Sequence, residues 1–60
     1  MDGMMRIDKK TPSGGDYSIM YYLDDDGNEV PKEKATNAII NEYKKNGDLI
    51  NSTYGIIKKG

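Results

Sequence analysis

The clearest apolar stretch lies within residues 16–24, Asp-Tyr-Ser-Ile-Met-Tyr-Tyr-Leu-Asp. A short run rich in Tyr and Ile and bounded by turn residues predicts a β-strand. Tyr17, Ile19, Tyr21 and Leu23 then fall on one face, and Met20 and Tyr22 on the other. Both faces carry apolar area, so the strand asks for cover on its second side. Gly14-Gly15 precedes it, and Asp24-Asp25-Asp26-Gly27-Asn28 ends it. That pentapeptide suits a hairpin loop in which a type I turn leads to Gly in the left-handed region. A similar pattern returns at Lys44-Lys45-Asn46-Gly47-Asp48. Residues 22–30 line up with residues 43–50 if one residue is deleted, which reads as one turn solution used twice rather than a duplication. Gly27 and Gly47 are expected to be architectural residues that set register.

Residues 31–45 carry two patterns. As a helix, Pro31 takes the first position and Glu33 the first turn. Ala35, Ala38, Ile39 and Tyr43 form a stripe, and Gly47 lies beyond the end. As a strand, residues 36–43 enter the second hairpin and residues 49–57, rich in β formers, return from it. Thr36, Asn37 and Asn41 are mediocre helix formers, so the strand reading leads. In either case residues 31–34 can form a short turn. Residues 1–15, with Thr11-Pro12-Ser13-Gly14-Gly15 as turn chemistry, read as a flexible N-terminal arm, or one that orders against a partner. The expected fold is mainly β: one small domain over residues 16–60, an antiparallel β-meander with two Gly-turn hairpins, three long strands and one short. The alternative is α+β, ββαβ with a helix over 31–45.

Composition makes a lone core difficult. Sixty residues form at most one domain, and there is no Trp or Phe beside seven Ile, two Leu and one Val. Chains of this size usually need a staple. There is no Cys and no His, which excludes disulfides and Cys or His metal sites. Self-association is the expected substitute, hence a homodimer. The net charge of −1, with interspersed signs, makes nucleic acid an unlikely partner. No apolar run is long enough for a membrane span, and residues 1–10 lack a signal-peptide core. With no Cys, the expected location is the cytoplasm. The abundance of Lys, Ile and Asn with a single Arg suggests an AT-rich coding genome.

Candidate chemistry is sparse. Aligned on Gly27, the acidic loop puts Asp24 and Asp26 at calcium-loop positions, but Tyr22 replaces the first ligand and Pro31 interrupts the loop. The pair is a weak metal candidate, and no cofactor is expected. Ser13, Ser18 and Ser52 have no base in a recognisable motif, and Glu42 is a lone acid on the expected strand. The chain is therefore read as not an enzyme. Five Tyr with no other aromatic point to contact surfaces, since Tyr joins a large apolar body to a polar tip. The candidate interface is Tyr17, Ile19, Met20, Tyr21, Tyr22, Tyr43 and Tyr54, toward a protein target or a second copy. A small regulatory or nucleic-acid-binding protein is the rival reading.

Asp16-Tyr17-Ser18 after Gly14-Gly15, the Asp-Asp-Gly-Asn turn and the closing Thr53-Tyr54-Gly55 resemble patterns in short uncharacterised proteins of low-GC Gram-positive bacteria and their phages. The likeness spans roughly residues 14–55 and implies no activity. In size and style the chain is also similar to small phage anti-defence proteins that inhibit host systems, often as homodimers acting by binding. That similarity implies an inhibitor and assigns no residues.

Overall fold

Each reversal of the chain is set by residues that cannot continue a strand. Asp24 N–H donates to Asn28 O at 3.0 Å and Gly27 N–H to Asp24 O at 3.1 Å. Lys44 N–H donates to Asp48 O and Gly47 N–H to Lys44 O, both at 2.8 Å. Gly27 and Gly47 take φ of 86° and 96°, where a Cβ is strained. The two turns are one solution, as expected. In this computed structural model, which describes residues 3–57, they belong to a four-stranded antiparallel sheet. Its strands are β1 (Met4–Ile7), β2 (Tyr17–Leu23), β3 (Asn37–Tyr43) and β4 (Leu49–Ile56), in the order β1-β2-β3-β4. The fold is the mainly β meander, but its short strand is β1, within the expected arm, while the chain after Gly27 makes a single bridge.

The helical alternative for residues 31–45 is not adopted. The structure has a 3-10 turn at Lys32–Lys34 behind Pro31, then β3. Ile40 lies between Met20 of β2 and Thr53 of β4. A helix would have left both neighbours without ladder partners. The stripe of Ala35, Ala38, Ile39 and Tyr43 comes from helical spacing in a chain whose apolar residues are used on both sides of a strand.

Residues 3–15 are not an arm apart from the domain. Met4, Met5, Arg6 and Ile7 pair with Tyr21, Met20, Ile19 and Ser18. The loop after them is held to the far hairpin: Asp16 N–H donates to Tyr43 O at 2.7 Å, and Lys44 Nζ to Gly14 O at 3.0 Å. Four residues give little strand signal, and their partner lies across a long loop.

The two Gly turns lead into different structures. After Gly47 the chain runs on as β4, with a bulge at Glu42/Tyr43. After Gly27 it makes one bridge, Leu23 to Glu29, and Val30 N–H donates to Tyr22 O at 3.0 Å. Pro31 then ends the return, and β1 takes over that edge of β2, with Tyr22 N–H donating to Gly3 O at 2.9 Å. A shift of twenty residues carries Leu23–Glu29 onto Tyr43–Leu49. It also carries the bond from Gly14 N–H to Thr11 O onto that from Lys34 N–H to Pro31 O. The sheet thus has an approximate two-fold axis near Met20 and Ile40, and the repeats match without the deletion the sequence suggested.

A candidate protein interface on an uncovered tyrosine face

Cross-strand partners share a face of the sheet. The register therefore gathers Tyr17, Ile19, Tyr21 and Leu23 of β2 with Ile39, Asn41 and Tyr43 of β3, Met4 and Arg6 of β1, and Ser52, Tyr54 and Ile56 of β4. This is the front face. Met20 and Tyr22 point to the back, with Ser18, Ile40, Glu42, Met5, Ile7 and Thr53. Five of the seven residues expected at an interface are thus brought together, and Met20 and Tyr22 are divided from them by the pleat.

None of the front-face residues is buried. Tyr54 is 63% exposed and Ile56 74%. Among the described residues Ala35 is the one buried hydrophobic residue, and no large side chain is fully withdrawn from water. Burying apolar surface is the main force that holds folds together. Here the middle of the face is half-buried by its own neighbours, and its rim at Met4, Tyr54 and Ile56 is open to solvent.

The front face is nonetheless ordered by its own contacts. The rings of Tyr17 and Tyr43 stack at 5.2 Å with 16° between planes, and the Arg6 guanidinium lies 4.0 Å from the Tyr17 ring centre. Ser52 Oγ donates to Asn41 Oδ1 at 2.6 Å, and Asn41 Nδ2 donates to the Tyr43 hydroxyl at 3.2 Å. Burial first, and then the neighbouring Tyr43 hydroxyl, raises the Tyr21 hydroxyl pKa above its ordinary value. The face therefore presents stacked aromatic surface with the Tyr43 hydroxyl held by Asn41, the amphipathic mix that contact surfaces favour.

The back face is closed in part by the loop between β1 and β2. Glu42 is 5% exposed. Its Oε1 accepts Ser13 N–H at 3.2 Å and its Oε2 accepts Asn51 Nδ2 at 2.9 Å. The Thr11 hydroxyl, then Asn51, then Ser13 hold its carboxyl pKa below the ordinary value. Glu42 is therefore not a lone acid; it clamps the loop to β3. No sequence signal marks it, because its partners lie 29 and 9 residues away. The loop also roofs a cavity of about 360 Å³ with Ile7, Pro12, Ile40 and Thr53 in its walls.

The acidic turn is occupied with its own backbone. Asp24 Oδ1 accepts the N–H groups of Asp26 at 2.9 Å and Asn28 at 3.0 Å. Asp25 Oδ1 accepts the Thr36 hydroxyl at 2.7 Å. Among the described residues no three His, Cys, Asp or Glu gather where a metal ion could sit. Nor is any helix among them long and apolar enough to cross a membrane. Compared with known proteins, the chain matches no family, no curated protein and no solved structure.

Proposed function

We propose that this chain is a non-enzymatic protein-binding module that acts by seating its front face on an apolar surface of a target protein and occluding it. The observation that carries this reading is the front face itself: four tyrosines, three isoleucines beside them and no buried residue among them. An open apolar patch rimmed by polar groups is a common mark of an interaction site. Tyr is well suited to it, since it loses little side-chain freedom on binding for the area it covers. The role is that of a cytoplasmic inhibitor, of the kind phages and mobile elements direct at host defences, working as a homodimer.

Tyr21 and Tyr22 provide the test, because adjacent residues of β2 face opposite ways. A photo-cross-linking residue is placed at each position in turn and the protein is expressed in an AT-rich, low-GC bacterial host. Position 21 should trap one discrete host protein, and position 22 should not. Equal trapping from both positions, or none from position 21, would overturn the reading.

A further inference from the structure

We infer that two copies of this chain pair through the outer edge of β4, antiparallel about Tyr54, to make one eight-stranded sheet. This deepens the homodimer within the proposed function and does not depend on which target the front face takes.

Ile57 N–H donates to Thr36 O, toward β3. In an antiparallel ladder the groups alternate, so Thr53 and Gly55 also point inward. Ser52, Tyr54 and Ile56 present their N–H and C=O groups outward. Residues 49–56 hold no charge and no proline, Leu-Ile-Asn-Ser-Thr-Tyr-Gly-Ile. Natural sheets usually blunt an edge with charges, prolines or short strands. This edge has none of these, and its bulge lies at the Leu49 end, away from Ser52–Ile56.

The opposite edge is blunted. β1 has four residues. Tyr22 N–H reaches Gly3 O, so Met5 and Ile7 point inward and Met4 and Arg6 outward. Arg6 Nε donates to Asp8 Oδ1 at 2.8 Å. Beyond Gly3 the way is stopped by Glu29, which a Cβ on Gly3 would meet at 2.7 Å. One edge can pair and the other resists, so association closes at two copies and does not run on as a fibre.

The strand is complementary to itself. With Tyr54 on the two-fold axis, Ser52 faces the second copy's Ile56 and Tyr54 faces its equivalent. Every outward N–H and C=O of Ser52, Tyr54 and Ile56 then has a partner. Because residues directly opposite share a face, both front faces lie on one side of the joined sheet. Ile56 and Tyr54, the two most exposed large apolar side chains among the described residues, become neighbours of the seam.

The experiment uses the full chain. Sedimentation equilibrium at micromolar concentration should give a dimer. Tyr54→Cys, in a chain with no other Cys, should be joined into a covalent dimer by a short bis-maleimide, since paired antiparallel Cα atoms sit about 5.5 Å apart. Of the backbone donors Tyr54→Pro removes only an outward N–H, and this variant should sediment as a monomer with the strand signal of its circular dichroism spectrum kept. Tyr21→Ala should lose target trapping and stay dimeric, which separates the two readings. A monomeric wild type overturns the proposal. So does a dimer that Tyr21→Ala abolishes, or failure of Tyr54→Cys to cross-link.

Discussion

Alanine at Gly47 and alanine at Gly15 add the same methyl group but test different physics. At Gly47 a Cβ meets nothing within 4 Å, and φ is +96°. The whole cost is then the left-handed backbone, about 1–2 kcal/mol for an L-residue. At Gly15 the backbone is ordinary, but a Cβ would lie 2.8 Å from Thr11 Oγ1, 2.9 Å from Tyr43 O and 3.1 Å from Ile50 Cδ1. Tyr43 O already accepts Asp16 N–H at 2.7 Å, so it cannot withdraw without losing that bond. Overpacking of this kind costs about 1–3 kcal/mol. In a domain this small each kcal/mol moves Tm by about 4–8 °C. The chain is short enough for chemical synthesis, which allows D-alanine as the control. D-alanine at Gly47 suits positive φ and should match or exceed the native Tm; at Gly15 it should not rescue. The assay is thermal unfolding by circular dichroism at fixed protein concentration, because self-association would itself move Tm. If D-alanine at Gly47 proves as harmful as L-alanine, the left-handed turn is not what that glycine supplies.

Three further outcomes rest on individual contacts. Glu42 and Asp16 both titrate below their ordinary values, Asp16 chiefly through Lys10 and then Lys45 N–H. As pH falls the unfolded chain takes up their protons first, so their stabilisation is full at neutral pH and drains through and below the carboxylate range; Glu42→Gln should flatten that acid limb in urea titrations read at a series of pH values. Replacing Tyr17 and Tyr43 by leucine, singly and together, should give a coupling of about 0.5–1.5 kcal/mol for the stacked pair, and an additive cycle would contradict the stack. Asp24→Ala leaves two turn N–H groups without their acceptor and should cost about 0.5–1.5 kcal/mol, whereas Asp26→Ala, whose contribution there is its N–H, should cost less in the same denaturation assay.

The parts of the fold legible in the sequence are those decided locally. The turns at Gly27 and Gly47 depend on five contiguous residues each, and both form as expected. The two faces of β2 come from alternation alone. Residues 36–43 are ambiguous because Asn37, Ala38, Ile39, Ile40 and Asn41 satisfy either period; pairing with β2 and β4 decides between them, and pairing is not local. β1 escapes notice for the same reason. Glu42 is visible only as an acid on a strand, since Ser13 and Asn51 give no sign of reaching it. For the interface, composition points to tyrosine and the pleat of β2 already divides Met20 and Tyr22 from Tyr17, Ile19 and Tyr21; only the register adds Tyr43 and Tyr54 to that face.

The Glu42 clamp bears on how the sheet comes apart. In a plain meander each strand touches only its sequence neighbours, and the ends can peel away one hairpin at a time. Here the loop leaving β1 is fastened to β3 through Glu42 and to the Gly47 turn through Tyr43 O, Lys44 Nζ and Lys45 N–H. β1 cannot detach without releasing contacts on the far hairpin. The chain should therefore open as one cooperative unit, with the Asp16 and Gly47 amides sharing one opening free energy in hydrogen exchange, which Glu42→Gln should lower for both together.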